Sequence, residues 1–525
     1  MKSNNVFKID FDVVENKIRA YEKEQAELLN IEPGQTNHWV DKNPTDFRRH
    51  QRENTTILFG GLTLMQDVFI QAASNGLGYK FIALDCPDNA AMQVGKEFGN
   101  RGQCNPTYFT VGNLVKYLIE LRDKQGLSTR EIIDNYIFTT AGACGPCRFG
   151  LYVTEYRKAL RDAGFEGFRV VLFDSDGDLN QGGPEMGLDY NVSFFRGMFK
   201  AIILGDVINL MAYRMRPYEE NKGDVNRALE KCRQLIVAKL LSNKNVIPAL
   251  HESKKILDAV PLNRLQVKPK VSVIGEFWAM TTEGDGNYKL QAFLEQEGAE
   301  VDIQPVTNWT LYIIWAVMYD ARQQLKLKNK WTTRLRLYKK LLLLRFARTI
   351  MLMWFNRYAK AIGLNDYHLA DMDELAKDSH EFYDNELRGG EGHMEVGKLI
   401  QSVKYSKSHL VLSVKPFGCM PSSGVSDGVQ ALVTGKFPEA HFLAIETSGD
   451  GAVNVYSRIQ MALFKAREKA QKDMDQVLST ESVERVAEYI TTQKLPASWY
   501  PKHRCALTAA NTVYAMRDQG LVSSH

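Results

Sequence analysis

NYIFTTAGACGPCRFGLYVTEYRKAL, residues 135–160, decides the fold. Its first half, Tyr136-Ile-Phe-Thr-Thr140, is a β-branched and aromatic run that reads as a buried strand. The run breaks at Ala141-Gly142-Ala143 and then presents Cys144-Gly145-Pro146-Cys147. Beyond it, Leu151, Tyr152, Tyr156, Ala159 and Leu160 recur at helical spacing. Strand, thiol-bearing turn and helix thus follow directly. That puts two cysteines at the carboxyl end of a strand and the amino end of a helix, where α/β proteins build their sites. N–H groups and the helix dipole there favour an anion, such as a thiolate, a phosphate or a metal–thiolate cluster.

Outward from this stretch, strands and helices alternate. Thr56–Gly60, Lys80–Leu84, Tyr136–Thr140 and Arg169–Phe173 read as strands, and so do Val271–Gly275, Val301–Gln304 (edge-like), His409–Val414 and Phe442–Ile445. Helical patterns fall at Met65–Ala73, Ala90–Phe98, Thr110–Lys124, Lys289–Glu297 and Val425–Val433. This order predicts an α/β fold with mostly parallel, helix-covered sheets. The division expected is a helical arm, 1–54; a first α/β lobe, 55–189; a helical connector, 190–268; a second α/β lobe, 269–307 and 406–472; a helical insertion, 308–405, rich in Arg, Lys and Leu; and a tail, 473–525, polar and helical at first, then irregular.

With 525 residues, 44% hydrophobic and 24% charged, the chain has the composition of a soluble multidomain protein. A formal charge of +4 is close to balanced and gives no sign of a nucleic-acid partner. Acids in residues 1–17 stand where a signal peptide needs an apolar run, and the apolar Leu341–Phe355 segment carries Arg345 and Arg348 and is too short to span a bilayer. The expectation is a cytoplasmic chain with no membrane partner. Seven cysteines, an odd number in a large intracellular chain, favour free thiols or metal ligands over a disulfide framework.

Four of the seven share a setting. Cys104 (GQCNP), Cys144 and Cys147 (ACGPC) and Cys419 (FGCMP) lie in Gly/Pro turns just before helices. Four thiolates converging from three helix starts suit an iron–sulfur cluster, whose negative charge N–H donors stabilise. A thioredoxin-type pair explains only Cys144 and Cys147. A structural zinc site also takes four thiolates, but such sites staple small domains. Cys232 sits in a helical pattern and reads as core; Cys86 and Cys505 are spare ligands at most. Gly392–Lys398 has phosphate-loop spacing, but Leu399 replaces the magnesium-binding hydroxyl and no strand precedes it, so the chain is expected to leave ATP hydrolysis to another polypeptide. The acidic stretches Asp174–Asp178 and Glu446–Gly451 read as turns at strand ends.

The motifs resemble a family. TTAGACGPCRFGLYVTEYRKALRDAGF (139–165) is similar to the cysteine-rich region of 2-hydroxyacyl-CoA dehydratase-related proteins, above all the carboxyl-terminal part of the large CoA-substrate-specific enzyme activases, related to double-cubane cluster proteins. GKEFGNRGQCNPTYFTVGNLVKYL (95–118), GDVINLMAYRMRPYE (205–219), VKPFGCMPSSGVSDGVQAL (414–432) and IETSGDGAVNVYSRIQ (445–460) agree with it in order, and Gly275-Glu276-Phe with Asn287 resembles a further family loop. The resemblance implies flavodoxin-like lobes holding an oxygen-sensitive cluster between them, and an electron delivered by an ATP-hydrolysing activase of the acetate-kinase/actin type. It implies a two-subunit or homodimeric acceptor. Under it, Cys104, Cys144, Cys147 and Cys419 hold a 4Fe-4S cluster, with Gly145, Pro146, Arg148 and Gly418 beside it. Arg148 would balance cluster charge, receive an anionic substrate or make a surface salt bridge. A double-cubane 8Fe-9S cluster would need two more thiolates from Cys86, Cys232 and Cys505. The dehydratase subunits proper lack CGPCRFG in this form, and four cysteines leave no open iron. Electron transfer is therefore expected ahead of dehydration of an acyl-CoA.

Overall fold

The computed structural model describes residues 11–28, 47–142, 147–173, 187–328, 330–387, 390, 392–478 and 495–518. The chain divides into two compact units, Met1–Asn43 and Pro44–His525. In the first, helix α1 (Phe11–Leu28) has Ile18, Tyr21 and Leu28 exposed.

The second unit is α/β, with two flavodoxin-like lobes built on four-stranded, all-parallel sheets. The first contains β1 (Thr56–Phe59), β2 (Phe81–Ala83), β3 (Tyr136–Ala141) and β4 (Arg169–Phe173), in the order β2-β1-β3-β4. The second contains β5 (Lys270–Gly275), β6 (Glu300–Ile303), β7 (Leu410–Pro416) and β8 (Phe442–Thr447), in the order β6-β5-β7-β8. The two orders are the same once the second is renumbered. In each lobe the chain leaves the first strand to one side and returns on the other. A topological switch point therefore lies between β1 and β3, and another between β5 and β7.

Parallel strands need crossovers, and here these are helices on both faces. In the first lobe α2 (Leu64–Asn75), α3 (Asn89–Phe98), α4 (Asn105–Asp123), α5 (Thr129–Asn135) and α6 (Tyr152–Asp162) make the connections. Thr63 and Gln66 form a capping box that starts α2, and Ser128 and Glu131 form another at α5. Leu58, Phe138 and Val170 pack on one side with α4 and α6, and Ile57, Phe59, Ile137 and Val171 pack on the other. The second of these cores extends into α7 (Val192–Met215), α8 (Asp224–Leu241) and α9 (Ile247–Asp258). Where α3 crosses α4, a Cβ on Gly112 would stand 1.8 Å from the Ala91 carbonyl oxygen, so the helices meet backbone to backbone.

In the second lobe β5 leads through α10 (Phe277–Thr281) and α11 (Leu290–Gln296) to β6. Between β6 and β7 run α12 (Val306–Leu327), α13 (Trp331–Ile362), α14 (Met372–Ser379) and α15 (Gly392–Lys404). After β7 come α16 (Met420–Ser423), a π turn over Gly424–Val429, α17 (Gln430–Lys436), β8 and α18 (Ala452–Leu478). The Asp206 carboxylate, buried in α7, ties the layers together: it accepts Gln66 Nε2 at 2.8 Å, Val306 N at 2.9 Å and Thr307 N at 2.7 Å.

The stretch 495–518 ends in a helix, Thr508–Asp518, which corrects the expectation of an irregular tail. Its anchor is a buried carboxylate. Glu300 accepts hydrogen bonds from Tyr218 OH (2.7 Å), Tyr500 OH (2.6 Å) and Thr508 Oγ1 (2.6 Å) and pairs with Lys270 Nζ at 3.0 Å.

The lobes meet through loops that follow β1, β2, β5 and β7 and through the turn between α3 and α4. Leu64 N donates to Glu283 Oε2 at 2.7 Å, Asn89 N to Asp285 Oδ2 at 3.0 Å, and Asn105 N to Phe417 O at 2.9 Å. Each pair joins a loop of the first lobe to one of the second.

Candidate functional site

Cys104 is the N-cap residue of α4, with extended backbone angles (φ −71°, ψ 151°). The helix begins at Asn105, five residues ahead of the expected Thr110, because proline is tolerated in a first turn whose N–H groups lack helical partners anyway. The Cys104 sulfur is buried, 3.2 Å from Thr107 Oγ1 and 3.1 Å from Tyr152 OH. Cys419 is built alike. It is the N-cap of α16, it is buried, Pro421 follows in the first turn, and its sulfur is 3.3 Å from Ser422 Oγ. Both sites read Cys-x-Pro-Thr/Ser, with the hydroxyl three residues on.

Cys147, partly buried, is the N-cap of a 3-10 turn, Arg148–Leu151, that runs into α6. The Arg148 guanidinium donates to the Gly102 carbonyl oxygen, two residues before Cys104. Cys144, Gly145 and Pro146 lie outside the described residues.

Two of the turns are in contact across the lobe junction. Besides the Asn105 N to Phe417 O bond, Gly418 (φ +77°) lies so close to the first turn that a Cβ would stand 3.2 Å from Cys104 Cα and from Gln103 O. The third turn joins them through Arg148. Three turns from two lobes are thereby brought together, with Cys147 following β3 and Cys419 following β7 at the switch points of their lobes and Cys104 between α3 and α4.

The polar groups around this junction are not all spoken for. Among the described residues Gln103 Oε1, Asn105 Nδ2 and Thr447 Oγ1 are buried with no hydrogen-bond partner. Asn105 and Gln103 flank Cys104, and Thr447 O accepts the N–H of Phe417. Burial and the neighbouring Cys104 hold the Tyr152 phenol well above its ordinary pKa, with Glu276 adding to the shift. Tyr152 therefore stays a neutral phenol. Glu276 caps α10 through Ala279 N (2.8 Å), and burial raises its own carboxyl pKa. Asn287, the other residue of that loop, donates to Ala279 O (2.8 Å) and Thr282 O (2.7 Å) and so braces it.

The remaining thiols are engaged elsewhere. Cys232 is fully buried in α8 and donates to Ser253 O at 3.7 Å, and burial pushes its pKa up. Cys505 sits against the C-terminal helix, donating to Leu507 O at 3.7 Å, with its pKa pushed up to about 11 by burial. Cys86 reaches the lobe junction, 3.6 Å from Thr282 Oγ1, with a pKa raised by burial. Among the described residues no group of three or more Cys, His, Asp or Glu side chains forms a preassembled metal shell. The loop Glu446–Gly451 is a turn wound on the Tyr288 hydroxyl, which accepts N–H groups of Ser448 (2.9 Å), Gly449 (3.2 Å) and Gly451 (3.3 Å). Asp174–Asp178 lies outside the described residues, and Gly392–Lys398 is part of α15, a helix and not a loop.

Sequence reasoning missed the hydroxyls. Thr107 and Ser422 were legible as a shared Cys-x-Pro-Thr/Ser spacing, whereas Tyr152 reads from the sequence only as a helix core position. No protein-family model matches this chain, and no curated protein matches it. The family resemblance rests on the quoted motifs alone.

Proposed function

We propose that the chain is an iron–sulfur protein that accepts a low-potential electron from an ATP-hydrolysing activase and passes it to a substrate or partner. The observation that carries the reading is the contact of the Cys104 and Cys419 turns across the lobe junction, joined through Arg148 by the turn of Cys147. Cys104, Cys147 and Cys419, with Cys144, are the residues that would hold a 4Fe-4S cluster, which supplies one-electron chemistry when bound. The donor set suits it. Thiolates bind iron, and the hydroxyls of Thr107, Tyr152 and Ser422 lie within hydrogen-bond reach of two of the sulfurs. The unpartnered Asn105 Nδ2 offers one more donor beside Cys104. Arg148 adds a positive charge at the same turn. The cytoplasm is the compartment proposed, with the activase as the partner and a homodimer as the assembly. No helix among the described residues is long and apolar enough to cross a membrane.

Purification without oxygen, with iron and sulfide counted per chain and electron paramagnetic resonance of the reduced protein, tests the proposal. Four irons and four sulfides with a reduced-cluster signal support it. One zinc per chain without iron or sulfide ends it. Turnover of an acyl-CoA by the reconstituted chain would move the assignment from electron carrier to catalytic subunit.

A further inference from the structure

The chain is nearly neutral overall, yet residues 321–365 contain twelve Lys and Arg side chains and no Asp or Glu. Most of this run is α13, packed on the molecule by one stripe only. Leu337 and Leu341 meet Met318 and Ala321 of α12, Met351 enters the core shared with α14, and Phe355, Tyr358 and Ile362 enter the core of the first lobe. That stripe repeats at intervals of three and four residues, as a buried helix face must.

A second apolar stripe lies on the other side of the same helix. Trp331 (73% exposed), Leu335 (42%), Tyr338 (51%), Leu342 (70%), Phe346 (63%) and Met353 (56%) are spaced for one face. It is about 33 Å long at 1.5 Å per residue. Exposed Arg336, Lys339, Lys340, Arg345, Arg357 and Lys360 stand on the same helix, and among the described residues none of the six has a carboxylate partner. Arg348 and Arg322, by contrast, are paired with Asp371 and Asp373.

We propose that the exposed face of α13 docks on an anionic phospholipid surface. The occupant follows from charge and side-chain type together. A second copy of the same face would oppose cation to cation. A nucleic acid would match the charge but has no use for Leu335, Leu342 and Met353, whereas an acyl-chain boundary takes up aliphatic and aromatic side chains while Lys and Arg meet headgroup phosphates. Trp331 and Tyr338 are the residue types that settle at that boundary. The helix lies on the surface and does not cross it, which departs from the expectation of a chain with no membrane partner. The inference is independent of the iron–sulfur reading.

The test is co-sedimentation of the full chain with vesicles of phosphatidylcholine alone and of phosphatidylcholine with phosphatidylserine. Binding to the anionic vesicles only, weakened by salt, is the expected result. Leu342→Glu with Phe346→Glu is expected to weaken it roughly tenfold or more, and Lys339→Gln with Lys340→Gln to weaken it by a smaller factor. All four positions are exposed, and an unchanged thermal melt of each variant establishes that it folds. No binding to either vesicle, equal binding to both, or variants that bind like the parent chain would overturn the proposal. So would competition by an acidic protein or RNA that displaces the chain from vesicles without needing the apolar residues.

Discussion

Glu300→Gln is expected to loosen the carboxyl-terminal anchor without disturbing the lobes. The carboxylate is 2% exposed and receives three hydroxyls and one ammonium. Lys270 and those hydroxyls outweigh the desolvation and hold its pKa at about 2, down from 4.5. At 1.36 kcal/mol per unit, that depression is worth about 3 kcal/mol of stability at neutral pH. A folded-state pKa below the unfolded one gives stability that is present above about pH 4.5 and is lost as the pH falls toward 2. Glutamine keeps the shape, removes the charge and leaves Lys270 buried beside Tyr500, so the cost falls at the ~3–5 kcal/mol of a broken buried pair. About 3 kcal/mol is roughly a hundredfold in a local opening equilibrium. Hydrogen exchange followed by mass spectrometry on the full chain reads this at residues 500–518. Exchange there should quicken in the variant at neutral pH. As the pH falls from 4.5 toward 2, opening beyond the intrinsic pH dependence should rise in the parent chain and much less in the variant. Equal protection in both chains, or the same pH response in both, would refute the reasoning. The anchor would then be Arg264 on Ala497 O and Asp258 on Ser498 N.

Three further outcomes are expected. Tyr152→Phe removes a hydroxyl 3.1 Å from the Cys104 sulfur, one that would donate to a cluster-bound thiolate; redox titration of the reconstituted protein should give a more negative midpoint, by up to about 60 mV, the one-electron equivalent of a tenfold change. Cys104→Ala and Cys419→Ala should each lose iron and sulfide while keeping the α/β circular dichroism, whereas Cys232→Ala should keep its iron and lose about 1 kcal/mol of stability as a core truncation. Gly112→Ala places a Cβ where the Ala91 carbonyl oxygen stands, and should lower the thermal midpoint by an overpacking cost of at least about 2 kcal/mol.

The sheets were legible because parallel strands are buried on both faces. Ile57-Leu58-Phe59 and Leu410-Val-Leu-Ser-Val414 are short apolar runs with no helical period, and all eight strands fall where such runs predict them. The edge-like reading of Val301–Gln304 also fits, since β6 ends its sheet. What stayed hidden lacks a local signal. Glu300 draws its partners from Tyr218, Lys270, Tyr500 and Thr508, separated by up to 208 residues from it, and nothing near any of them announces the others. The short α5 escaped notice because seven residues carry too few turns for a period, although Ser128 and Glu131 spell its cap. Pro106 pointed to a turn and so hid the true start of α4.

The two lobes share a strand order, and this bears on how the cysteine turns arose. Cys144-Gly-Pro-Cys147 follows β3 in the chain and Cys419-Met-Pro-Ser422 follows β7, strands that hold the same place in their sheets, and both segments read Cys-x-Pro. Cys104 and Cys419 share Cys-x-Pro-Thr/Ser, yet Cys104 precedes α4, upstream of β3, and Cys419 follows β7. The likeness of the Cys104 and Cys419 turns therefore does not come from equivalent positions in the lobes. It follows from local demands. An extended N-cap aims the thiol, a proline in the first turn removes one N–H, and a hydroxyl three residues on meets the sulfur at 3.2 or 3.3 Å. The same solution at two unlike places, pressed together at Gly418, is what a shared ligand would require of both. Gly418→Val, at φ +77° and against Cys104, should consequently lower iron retention even though it alters no thiol, and iron counting against the parent chain decides it.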